Sequence, residues 1–236
     1  MKKNNNSFNH CQLSKWFLLI VLLMVASFPI SSIALSCDNG VRLPKYAQLL
    51  EKIGKQTGIS CEEAEAFIDH VDGEAIKIQK NFEQIASDKT PSYQKESLVK
   101  QTVDNYFDSP TSIVQTSGLN SSTVRNRGVE RYLTDLADLS KEKYVTVKLL
   151  FDEKYFSMGN IELEYENGER IYSFKVSMWA HFIGCTDSGY CYGDHTKKGF
   201  YMKMQKGRMR VDFVQVEQTV SEKKYREIQC KWTGGC

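Results

Sequence analysis

The chain has 236 residues, with 31 Lys and Arg, 29 Asp and Glu, and seven cysteines. Residues 1–36 hold Lys2, Lys3 and Lys15 and no acidic residue, so the remainder carries 28 basic against 29 acidic groups, net −1. A near-neutral chain of about 200 residues has no long-range field to gather nucleic acid, and is long enough to bury a real core.

The first element is a leader. Basic residues precede an unbroken apolar run over residues 16–26, followed by Ser27-Phe28-Pro29 and then small residues through Ser36. This is the order of a secretory signal, with cleavage after Ser36 or Ala34. A second reading is an uncleaved anchor, since a bilayer takes about 20 residues to span; Pro29 and the nearby serines argue against it. Ala34-Leu-Ser-Cys37 also resembles a lipobox, but lipidation would leave an odd number of cysteines. The expectation is export to the periplasm or beyond, with membrane attachment only through the leader if it is uncleaved.

The expected organisation is a signal over 1–36, an N-terminal extension over 37–61, an α+β domain over 62–217 and a tail over 218–236. Residues 44–54 place Tyr46, Leu49, Leu50 and Ile53 on one helical face. Ser60-Cys-Glu-Glu63 forms a capping box. Ala64, Ile68, Val71, Ala75, Ile78, Phe82 and Ile85 then recur at spacings of three and four, the apolar stripe of one long helix. Thr90-Pro91 separates it from a helix over 92–107 that buries Val99, Val103 and Tyr106. A short strand over 112–117 and a helix over 129–139 follow. Asn120-Ser-Ser122 fits a glycosylation acceptor, relevant to a eukaryotic secretory route.

Beyond Lys143 the period becomes two. Val145, Val147, Leu149 and Phe151 alternate, as does Ile161-Glu-Leu-Glu-Tyr-Glu166. Asn167-Gly168 is a strong hairpin signal. A strand runs on to about residue 183, and a last pair over 197–205 and 208–217 turns at Lys206-Gly207. The class is α+β, with N-terminal amphipathic helices packed on a curved antiparallel meander.

A hairpin centred on Ser188 sets Cys185 opposite Cys191 and His181 opposite His195. It also pairs Phe174 with Met202 and Val176 with Phe200 on the inner face. The cysteines and histidines share the odd-numbered, outer face. The spacing invites a metal reading, His181, Cys185, Cys191 and His195 around zinc. Yet four strand residues at roughly 3.3 Å each separate the two pairs by about 13 Å, far beyond the roughly 2 Å of a zinc bond. Opposed strand positions suit a disulfide. Cys230 and Cys236 repeat the spacing, read as a closed C-terminal loop, and by elimination Cys37 pairs with Cys61.

The order of elements resembles the nuclear transport factor 2-like, or cystatin-like, superfamily. The resemblance covers about residues 62–217. It is carried by Ile113-Val-Gln-Thr-Ser117, by Val129-Glu-Arg-Tyr-Leu133 with Leu136 and Leu139, and by Tyr192-Gly-Asp-His-Thr-Lys197. It implies a cone with a pocket between sheet and helices. That superfamily hosts isomerases, dehydratases and secretion-machinery modules, so it transfers no single function.

The primary expectation is a disulfide-stabilised, non-catalytic domain binding a protein or a small apolar ligand, without cofactor or metal. Trp179, Tyr190, Tyr192 and Trp232 are the candidate contact aromatics. One alternative is a small-molecule enzyme of isomerase or dehydratase type, with Asp69 and His70 as the acid–base pair of the cone pocket. Another is a membrane-anchored subunit of a secretion apparatus.

Overall fold

The computed structural model describes residues 47–119, 121 and 123–233, apart from the side chains at 47, 142, 153–156 and 231–233. The leader, Cys37, Cys236 and the Asn120–Ser122 acceptor positions Asn120 and Ser122 lie outside the described residues. Among those described, no helix is long and apolar enough to cross a bilayer.

Three helices come first: α1 (Ala47–Thr57), α2 (Cys61–Ala86) and α3 (Ser92–Tyr106). Ser60 and Glu63 form the reciprocal capping box that opens α2. Every member of the expected α2 stripe, from Ala64 to Ile85, is buried. Each large side chain so buried contributes roughly 1.5–3 kcal/mol, which makes this stripe the main anchor of the helical layer. Pro91 starts α3, where it carries no N–H for the helix to miss.

The strands are β1 (Ile113–Thr116), β2 (Arg125–Gly128), β3 (Thr146–Glu166), β4 (Glu169–Cys185), β5 (Cys191–Gln205) and β6 (Arg208–Val220). Helix α4 (Val129–Glu142) separates β2 from β3, and α5 (Glu222–Thr233) closes the chain. The sheet order is β2-β1-β6-β5-β4-β3. All neighbours are antiparallel except β1 and β6. The class is α+β, as the periodicity predicted. Asn167 and Gly168, and again Lys206 and Gly207, have positive φ, the geometry of tight two-residue hairpin turns.

The β4–β5 register matches the sequence arithmetic residue for residue, including Cys185↔Cys191, His181↔His195, Val176↔Phe200 and Phe174↔Met202. Phe67 of α2 sits on this inner face, 5.0 Å from the Tyr172 ring and 5.2 Å from that of Phe174. Phe82 lies between Phe107, Tyr132 and Phe151.

Three expectations change. The two alternating segments after Lys143 form one long strand, β3, interrupted by register shifts between Asp152 and Ser157 and between Met158 and Ile161. Such bulges bend a strand without ending it. Val145, expected to face inward, is exposed and precedes β3. The C-terminal segment is the helix α5, with Cys230 and position 232 within it, where a glycine-turned loop was expected.

Helix α5 overturns the outer-face expectation. Trp179, read as an exposed contact aromatic, is 2% exposed and packs with Val220, Tyr225 and Ile228. The strand parity is right; the helix then covers that face.

Candidate functional site

The inner face of β4 and β5 does not stay apolar along its length. Even-numbered residues point inward, so the alternation that buries Phe200 and Met202 also turns Lys198, Thr196, Asp194 and Tyr192 toward the helices. With Ala180 and Phe182 of β4, they face Tyr132, Leu136 and Leu139 of α4 across a cavity of about 360 Å³. Leu149 of β3, Lys143, Tyr144, Thr116 and Ser117 complete the wall. Gly184 is required here, because a Cβ at that position would lie 2.8 Å from the Tyr144 ring. Tyr144 is thereby held 5.9 Å from the Phe182 ring.

One corner of the cavity is polar. Tyr192 Oη donates to Asp194 Oδ2 at 2.6 Å and accepts from the Leu119 amide at 3.1 Å. Thr196 Oγ1 approaches Asp194 Oδ1 at 3.4 Å and Thr219 Oγ1 at 3.2 Å. Asp194 is 8% exposed, and burial pushes its carboxyl above the ordinary range against the lowering effect of Tyr192 and Thr196. Burial and the bond to Asp194 push the Tyr192 phenol up to about 12. Lys198 Nζ reaches the Gln115 carbonyl at 3.4 Å and lies 5.1 Å from the Tyr132 ring centroid. Apolar walls with a few convergent polar groups are the usual make-up of a small-molecule site.

The residues singled out from sequence fall elsewhere, with one exception. Asp69 is exposed on α2. His70 is half-buried, with Nε2 shielded and unbonded. Neither lines the cavity, so this pair does not supply its acid–base groups. Tyr190 is exposed at the hairpin tip. Tyr192, expected on a contact surface, is instead the half-buried cavity phenol. Trp232 falls in α5. The strand parity that sets Cys185 and Cys191 outward also sets Asp194 and Lys198 inward.

The histidine pair is not solvated. His181 and His195 meet through their Nδ1 atoms. Tyr225 of α5 stacks on His195 at 4.5 Å and meets His181 edge-on at 4.7 Å. His195 Nε2 contacts Glu222 Oε2 at 2.5 Å, and Tyr225 Oη donates to Asp152 Oδ2 at 2.5 Å. Burial, then the neighbouring His195, lowers the His181 pKa. Arg226, then His195, holds the Glu222 carboxyl below its usual range.

Cys185 and Cys191 form a disulfide. Their sulfurs are therefore not thiolate ligands, which overturns the four-residue zinc reading. Among the described residues no group of three or more His, Cys, Asp or Glu is arranged to hold a metal. Cys61 and Cys230 are also disulfide-bonded. The expected pairings to Cys37 and Cys236 fall outside the described residues.

No family model matches the chain. No curated protein matches it. Among solved structures, a protein from Catenulispora acidiphila is 10% identical over 70% of this chain and 96% of its own, with a TM-score of 0.37. A Xanthomonas campestris protein, named for a calcium/calmodulin dependent protein kinase II association domain, is 11% identical over 67% of this chain and 86% of its own, with a TM-score of 0.29.

Proposed function

We propose that the chain is an exported, disulfide-stabilised binding domain of the nuclear transport factor 2-like kind, taking a small and mostly apolar ligand into the α4–sheet cavity. The observation that carries this is the cavity itself: leucine and aromatic walls, one hydrogen-bonding corner, and a volume of about 360 Å³. Export is supported by the basic, apolar and small residues of 1–36 in that order, and by disulfide bonds at Cys61, Cys185–Cys191 and Cys230. The family reading is supported by the order of helices, short strand, helix and meander.

The test is calorimetric titration with 2-naphthol, an apolar body with one hydroxyl. Binding to the wild type that is lost in the cavity-filling variants Ala180→Leu and Leu136→Phe supports the reading. Equal binding to all three proteins removes the cavity as the site.

A second reading is favoured by one observation. A buried carboxyl with a raised pKa, hydrogen-bonded to a tyrosine, is the equipment of an acid–base catalyst. An enzyme would lose turnover on Asp194→Asn while keeping affinity; a binding protein has no turnover to lose.

A further inference from the structure

Lys198 is the member of the cavity wall whose bonding is incomplete. An ammonium carries three donors. Lys198 Nζ has one acceptor, the Gln115 carbonyl at a long 3.4 Å, and otherwise the face of Tyr132. It is 6% exposed, and among the described residues no carboxylate lies within ion-pair distance of it. A buried charge without a close partner is costly and calls for an explanation.

The carboxylate nearby, Asp194, attracts the Lys198 charge but lies beyond ion-pair distance of it. Asp194 is already held by Tyr192 at 2.6 Å and approached by Thr196 at 3.4 Å. Lys143, on the same wall, stands over Tyr144 at 5.0 Å and adds a second ammonium. The wall thus carries two cations to one carboxylate. Beyond them the surface is apolar, with Leu136, Leu139, Leu149, Ala180 and Phe182.

We propose that the cavity's ligand is a small amphiphilic carboxylate, its head group on Lys198 Nζ and its apolar body between Leu136, Leu149 and Phe182. This rests on the binding reading above and specifies its chemistry. Two ammoniums against one carboxylate leave one excess positive charge, which suits a monoanion held by Lys198 as a point charge where a bidentate fork is absent. A dianionic phosphate would set more negative charge beside Asp194, which like charges disfavour.

The experiment uses the full oxidised chain and three probes of one shape: 2-naphthoate, 2-naphthamide and 2-naphthylmethylammonium, titrated at neutral pH. The wild type is expected to bind the carboxylate roughly tenfold more tightly than the amide, the ratio that a charge-assisted hydrogen bond gives. Lys198→Met is expected to abolish that preference while still binding the amide, which also shows that the variant is folded. Lys198→Gln serves if the methionine variant does not fold. Equal wild-type affinity for carboxylate and amide, or preference for the ammonium probe, overturns the carboxylate proposal and leaves the binding reading intact. Persistence of the preference in the Lys198 variants also overturns it. Failure of all three probes to bind removes the binding reading with it.

Discussion

Tyr192 and Asp194 stand two residues apart on one strand, so their side chains share a face, and the phenol donates to the carboxylate across 2.6 Å. That bond forms inside the cavity wall, where burial raises the carboxyl's pKa against the lowering effect of the bond. A carboxyl whose folded pKa is raised binds protons more readily folded than unfolded. Stability from this group is therefore greatest below its unfolded value of about 3.9 and declines as pH rises through the folded value. Asp194→Asn is expected to remove that decline. Chemical denaturation at a series of pH values reads it.

Glu217 predicts the opposite slope. Its carboxylate receives Lys175 at 2.7 Å, Lys197 at 3.0 Å and Ser177 at 2.7 Å. Burial alone would raise its pKa; these three donors outweigh it and hold the group at about 2. The stabilisation is present above the unfolded value of about 4.3 and is lost as pH falls toward 2. Glu217→Gln is expected to cost about 2–3 kcal/mol at neutral pH and little near pH 2, by the same denaturation series.

The histidine cluster under α5 gives a pH-dependent helix. The Nδ1 contact of His181 with His195 holds one proton between the rings, and a second sets two N–H donors face to face. Because the folded pKa of His181 is lowered, stability is lost as pH falls below the unfolded value of about 6.5. Amide hydrogen exchange in α5 is expected to accelerate over that range more than exchange in α2. His181→Phe should flatten the response.

The outer-face core should behave as a true core. Trp179→Ala, which empties the space under Tyr225, is expected to cost about 3–5 kcal/mol. Tyr225→Phe keeps the packing and loses the bond to Asp152, for about 0.5–1.5 kcal/mol. Replacing both Cys185 and Cys191 by serine should cost about 2 kcal/mol, since so short a loop gains little from closure.

Much of this was legible in the sequence where two signals agreed. The α2 stripe came with a capping box at Ser60, and the β4–β5 register satisfied the apolar pairs and the cysteines together. Strand β2, Arg125-Asn-Arg-Gly128, has no alternation and is specified by its pairing with β1. Helix α5 was hidden by the glycines near the C-terminus, although Tyr225 and Ile228 lie at helical spacing after Ser221. Its absence from the sequence reading made Trp179, His181 and His195 look solvated. A period of two gives the side of a sheet, and only tertiary packing decides whether that side meets water. Asp194 and Lys198 were missed because polar residues on an inner face break the expected pattern, as functional residues do.

The central claim is that the α4–sheet cavity is a ligand site. Its most direct test is an amide- and methyl-resolved NMR titration of the oxidised protein with 2-naphthol. The account predicts saturable shifts confined to the cavity wall, strongest at Leu136, Leu149, Phe182, Asp194 and Lys198, and abolished by Ala180→Leu. Saturable shifts centred on the outer face around Tyr190 and α5, or no saturable shift in the cavity wall, would contradict it.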